Sequence, residues 1–230
     1  MFLVIDLALG IPALLVIVAG YGWVHSAYKR ASFVMPTNST TVQDVTEALL
    51  GAGGAHGVRL RTAEGRELEA HYDPRSRIIQ LSTDIVKSNS VAAIAVAAHE
   101  AGHAIQHAEG DRMFGVRAAL APAAFVASYG WGVVFGIGVW FQSIGLVHAA
   151  IAVFAGIVLF ELVTLPVEIG ASRRATELLA EGGFLSESEL GVARSVLRAA
   201  AFTYVAALMA SLLQLLRLLL EASLFGGDDS

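Results

Sequence analysis

Two imidazoles four residues apart, with a carboxylate beside the first, make His99-Glu100-Ala-Gly-His103 the part of this chain best suited to chemistry. On a helix, positions i and i+4 share a face, so His99 and His103 can reach one metal ion. Glu100 is placed to take a proton from a water held by that ion. The pattern predicts one Zn2+ per chain and a peptide-bond hydrolase with Glu100 as general base. Composition alone produces such a pattern in roughly one chain in a hundred of this length, and the plainer alternative is an amphipathic helix with two incidental histidines. The surroundings favour the metal. Ser90–Gln106 is helix-forming apart from Gly102, with Ser88 or Ser90 available as N-cap. A helix this apolar is expected to be buried, and buried histidines need partners. The absence of cysteine excludes thiolate ligands and cysteine nucleophiles.

The elements that must position this motif belong to a membrane protein. Of 230 residues, 56% are hydrophobic and 15% charged, with a mean hydropathy of +0.65, unlike a soluble domain. Four stretches are long and apolar enough to span a bilayer: Leu3–Val24, about Ala118–Phe141, about Ile144–Pro166 and about Ala199–Leu220. The second and third form a hairpin, in which Gly130-Trp-Gly132 and Gly136-Ile-Gly138 offer small-residue faces for close packing. Ten of the 15 Lys and Arg lie between spans one and two and four between spans three and four. The positive-inside rule then places both segments in the cytoplasm and both termini outside. The first span lacks a basic start and is followed by Lys29-Arg30, so it reads as a retained anchor. A net charge of -5 speaks against a nucleic-acid partner.

The expected fold is mainly α, a four-span helical membrane protein with a small α+β cytoplasmic portion of zincin-like metalloprotease character. Its parts are a first anchor (1–28), an α+β segment with the motif helix (29–117), the hairpin (118–166), a second cytoplasmic segment (167–198), the fourth span (199–222) and an acidic tail (223–230). Within 29–117, Thr40–Leu50 reads as a capped helix ending at Gly51–Gly54, with strands at Val58–Arg61, Glu67–Tyr72 and Arg77–Ser82. Asp73-Pro74-Arg-Ser is a turn, and Ser186-Glu-Ser-Glu189 starts a helix.

Catalytic zinc takes three protein ligands and leaves a position for water. For the third, Gln106 and Glu109 stand where metzincins carry Gly and His, and His107 would point past the metal. Glu109 nearby, and Glu161, Glu168, Glu177 and Glu181 farther along the chain, stay open. Glu168 lies just beyond span three, where it reads equally well as a solvated helix end.

Ala98–Gln106 and Leu165–Ala175, with His71-Tyr-Asp-Pro-Arg75 and Thr203-Tyr-Val-Ala-Ala207, resemble the YugP-like family of bacterial neutral zinc membrane peptidases over most of the chain. The chain is more distantly similar to HtpX/CAAX-protease-type membrane metallopeptidases. In those a Glu-x-x-Ala-Asp motif supplies the third ligand, and the same register here is Glu168-Ile-Gly-Ala171-Ser172. The resemblance implies Glu168 as ligand and a bacterial-type cytoplasmic membrane. Ser172 departs from the motif, so a hydroxyl must orient the zinc histidine in place of a carboxylate, or Asp73 or Asp84 does so.

His71, Tyr72, Arg173 and Arg174 are candidates to steady the carbonyl oxygen of a protein or peptide substrate, itself expected to be membrane-associated. Packing under the site, for the first two, and lipid-headgroup contact, for the arginines, are the plainer readings. The non-enzymatic alternative is a membrane scaffold or chaperone with a structural zinc. Site-2-type intramembrane proteolysis fits poorly, because Arg112 and Arg117 follow the motif before the next span. Substrate identity and oligomeric state are not encoded in any motif.

Overall fold

The computed structural model describes residues 2–64 and 69–225. The elements in chain order are α1 (Phe2–Ala31), α2 (Val42–Ala52), β1 (Arg59–Ala63), β2 (Ala70–Asp73), β3 (Ile78–Ser82), α3 (Thr83–Ser88), α4 (Val91–Ala108), α5 (Arg112–Trp140), α6 (Ile144–Glu181) and α7 (Glu187–Phe225). The protein is mainly helical with one small sheet. Among the described residues, α1, α5, α6 and α7 are the helices long and apolar enough to cross a bilayer. The chain forms two compact units. One is built from the described residues of Met1–Tyr21, Val116–Leu165 and Thr203–Ser230, the other from those of Gly22–Gly115 and Pro166–Phe202.

In the first unit large apolar side chains face outward: Leu14, Val126, Tyr129 and Leu159 are each more than half exposed. Such a surface suits hydrocarbon and would be costly in water. The interior is a cluster of Val147, Ile151 and Phe154 from α6 with Leu208 and Leu218 from α7. Trp131 of α5 meets Phe154 edge-on at 4.7 Å between ring centroids. The α5–α6 hairpin turns at Gln142, which has φ 52°. Its helices approach closely at Gly138, where a Cβ would stand 2.9 Å from the Val147 nitrogen. Gly130, Gly132 and Gly136 meet nothing within 4 Å, so only one end of the small-residue faces is used in packing.

The second unit begins from capped helices and a three-stranded sheet. Thr41 caps α2, its hydroxyl oxygen accepting from the Asp44 nitrogen at 3.1 Å, and Ser90 caps α4 in the same way from Ala93 at 3.3 Å. The strands lie in the order β1-β3-β2, with β1 parallel and β2 antiparallel to β3. They are displaced by a residue or more from the predicted ranges, and residues 67 and 68 of the second predicted strand lie outside the described residues, as does the tail from 226 onward. The β2–β3 turn is held by Asp73, whose carboxylate accepts from the Ser76 hydroxyl at 2.5 Å and the Arg75 nitrogen at 3.0 Å. Those bonds hold its carboxyl below the usual carboxylate range.

Helix α4 is buried on nearly every side, as its sequence implies. Ala92, Ala95, Ala98 and Ala101 let neighbouring elements come close, and around them pack Leu49 of α2, Ile79 and Leu81 of β3, Ile85 of α3 and Leu179 of α6. The helix ends at a bend through Gly110, φ 67°. Asp111 then accepts from the Met113 and Phe114 nitrogens at 2.9 and 3.3 Å, starting α5 at Arg112 rather than at Ala118, where the apolar run begins. Helix α6 runs unbroken through Pro166 to Glu181. Helix α7 opens with the expected reciprocal cap: the Ser186 nitrogen donates to Glu189 at 2.7 Å, and the Glu189 nitrogen to the Ser186 hydroxyl at 3.5 Å.

Candidate metal centre

Every residue of the centre lies in the second unit. His99 and His103 stand one turn apart on α4, their rings edge-to-face with centroids 4.7 Å apart. Glu168, wholly buried on α6, brings one carboxylate oxygen to 3.1 Å from His99 Nε2 and 3.4 Å from His103 Nε2. One donor atom from each of the three side chains lies within 4.8 Å of the others. Two imidazole nitrogens and a carboxylate oxygen are the donor set of catalytic zinc sites, and the residues present fit such an ion.

Both rings are held from behind. The Nδ1 of His99 is 3.1 Å from the Ser172 hydroxyl, and the Nδ1 of His103 is 3.0 Å from the Gln106 side-chain oxygen. Gln106 is buried and donates its amide to the Val167 carbonyl at 2.9 Å, tying α4 to the backbone next to Glu168. Such partners set which ring nitrogen faces the centre. Sequence reasoning noted Gln106 only as a departure from the metzincin pattern. The available signal was a glutamine three residues after His103 in an otherwise apolar helix.

Gly102 lies between the two histidines for a steric reason. A Cβ there would collide with the Ala171 carbonyl oxygen, on the turn of α6 between Glu168 and Ser172. Gly102→Ala is therefore expected to be destabilising despite alanine's better helix propensity, by about 1–3 kcal/mol, because the obstructing atom is backbone. It should also lower zinc content, read by thermal unfolding and metal analysis of the purified protein. Unchanged stability with full zinc would show that α4 and α6 do not pack this closely.

Glu100 is buried next to His99 and is not one of the three clustered side chains. Its carboxylate has no hydrogen-bond or ion-pair partner among the described residues. Tyr72 is half-buried on β2, and its hydroxyl is 2.8 Å from His107 Nδ1. Burial pushes its phenol above the usual range. Phe114 stands beside both, with ring centroids 5.6 Å from His107, 6.4 Å from Tyr72 and 6.0 Å from His103. His107 thus pairs with Tyr72 and stays out of the cluster. His71, the preceding residue on β2, is exposed and by strand alternation faces the other way.

The remaining candidates lie elsewhere. Glu109 is bonded by Arg174 at 2.5 and 3.0 Å, which fastens α6 to the end of α4. Arg173 is exposed, 4.0 Å from Glu177. Glu181 is exposed, Glu161 accepts from Ser211 in the other unit, Asp73 is taken up by its turn, and Asp84 lies exposed at the start of α3.

The comparisons with known proteins point to the chemistry of this donor set. The sequence model of a family described as "Putative neutral zinc metallopeptidase" matches residues 7–223. The chain is 36% identical over 194 residues to "Putative membrane protease YugP" of Bacillus subtilis (strain 168), which covers 84% of this chain and 86% of that protein. No solved structure matches it. With the family model spanning nearly all of its length and one relative aligned over most of both chains, this protein belongs to the neutral zinc metallopeptidase family so described.

Proposed function

We propose that this protein is a multi-pass membrane zinc metalloendopeptidase that cleaves protein or peptide substrates at a cytoplasm-facing site. The observation that carries this reading is the cluster of His99, His103 and Glu168, which no fourth His or acidic side chain joins among the described residues. Structural zinc closes all four positions with protein ligands, whereas catalytic zinc leaves one open. That difference favours the peptidase over a scaffold or chaperone with a structural ion.

His99 and His103 would hold one Zn2+ through Nε2 and Glu168 through its carboxylate. When bound, the ion lowers the pKa of a coordinated water towards neutrality and polarises the scissile carbonyl. The Glu100 carboxylate accepts the water proton and passes it to the leaving nitrogen. Its burial beside His99, with no competing partner, supports that role. Ser172 and Gln106 keep the two imidazoles turned to the centre, Ser172 taking the place of an aspartate with a weaker hydrogen bond. Of the four candidates to meet substrate, His71, Tyr72, Arg173 and Arg174, Tyr72 has the most support, since His107 fixes its hydroxyl close to the Phe114 ring that flanks His103. β2, which pairs on one side with β3 among the described residues, offers an edge where an extended peptide could add by backbone hydrogen bonds. The basic residues, ten before α5's apolar run and four between the last two spans, support a cytoplasmic location for the centre.

The test is hydrolysis of an unfolded protein such as casein by the purified chain in detergent. Cleavage should stop on adding a zinc chelator and return on adding zinc. A preparation that holds stoichiometric zinc and cleaves neither casein nor a panel of membrane-protein substrates would favour the scaffold.

A further inference from the structure

Beside the metal centre, within the second unit, α6 and α7 enclose a cleft of about 340 Å3. Its lining recurs at helical spacing on both sides, at 169, 172, 173 and 176 on α6 and at 194, 197, 198 and 201 on α7. One face of each helix therefore borders the cleft for two turns. Arg173, Arg194 and Arg198 line it with one acidic residue, Glu177. Glu177 is 4.0 Å from Arg173. Neither Arg194 nor Arg198 has an acidic or hydrogen-bonding partner among the described residues. Like charges brought together without counter-charge repel, and an anion in the cleft would relieve that repulsion.

The lining also changes character along its length. Ile169 is the lining residue of α6 nearest in sequence to the apolar segment that ends at Pro166, and Ala201 lies within the apolar segment that begins at Ala199. Farther from those segments come Ser172, Arg173, Arg198 and Leu197, then Thr176, Glu177 and Arg194, so that the three arginines lie outside the apolar segments. An apolar end followed by arginines matches a molecule with acyl chains at one end and a phosphate at the other. Guanidinium forks suit phosphate oxygens, and basic pockets between membrane helices on the cytoplasmic side bind lipid headgroups.

We propose that this cleft binds the phosphate of an anionic phospholipid. The inference rests on the chain lying in a bilayer and not on its being a peptidase. It has a consequence for the centre, because Ser172, the hydroxyl 3.1 Å from His99 Nδ1, lines the same cleft. A bound headgroup would stand against the residue that orients a metal ligand.

The full chain, purified in neutral detergent and mixed with phosphatidylglycerol or phosphatidylcholine, is examined by native mass spectrometry. The parent should retain phosphatidylglycerol in preference to phosphatidylcholine, and R194Q/R198Q should weaken that retention roughly tenfold. R194K/R198K, which keeps the charge, should retain more lipid than the Gln pair even if both bind less zinc than the parent. R59Q/R61Q, at exposed arginines of β1, should behave as the parent does. Equal retention by R194Q/R198Q and parent, or equal loss in R59Q/R61Q, would overturn the assignment. Displacement of phosphatidylglycerol by millimolar inorganic phosphate would make this a free-anion site, and displacement by an acidic peptide a substrate site. Either result would overturn the lipid. Retention is read without any hydrolysis, so an inactive protein with lipid bound would count against the peptidase and not against the cleft.

Discussion

Glu100→Gln is expected to lower peptide hydrolysis by roughly 10²–10⁴-fold while zinc stays bound. Glutamine has nearly the volume and helix propensity of glutamate, so the buried position beside His99 should accept it without repacking α4. The change removes a group that can accept a proton and leaves His99, His103 and Glu168 untouched. Casein cleavage and zinc content measured on the same preparation separate the possibilities. Loss of both would make Glu100 a support of the metal site. Full activity with full zinc would place the general base elsewhere.

Glu168→Gln should act at the preceding step and remove the metal. Glu168 is the anionic member of the cluster and faces both Nε2 atoms from a fully buried position. A neutral amide there leaves two imidazoles to hold a dication. Zinc affinity, measured by competition with a chelator, should fall further than in Ser172→Ala. That variant loses only the hydrogen bond behind His99, an effect on the order of 10–100-fold. Activity should fall with occupancy and recover in part at high zinc. Parental affinity in Glu168→Gln would mean that the third ligand is another group, although Glu109, Glu161, Glu177 and His107 are all engaged elsewhere.

The two predictions draw on different parts of the molecule. The case for Glu100 is nearly all local, because its relation to His99 and His103 follows from the period of one helix. The case for Glu168 needs two helices brought together. From spacing alone it was one carboxylate among five, with a resemblance to favour it, and a solvated helix end was an equally good description. Helix α6 passing unbroken through Pro166, and Gly102 admitting the Ala171 carbonyl against α4, are what bring that carboxylate to the imidazoles.

By itself the sequence determined the four apolar helices, the capped starts of α2, α4 and α7, the turn at Asp73 and the pairing of His99 with His103 on one face. Each of these is written in hydropathy or in interactions spanning a few residues, so neighbouring side chains are enough to specify them. Tertiary structure alone decided that β1 lies parallel to β3, that Gln106 reaches the Val167 carbonyl on α6 and that Ser172 is the group that holds His99. It also placed Arg173 with Arg194 and Arg198 along one cleft while binding Arg174 to Glu109. These relations join residues far apart in the chain. Which partners meet depends on the packing of α4 against α6 and of α6 against α7, and no local periodicity carries that information.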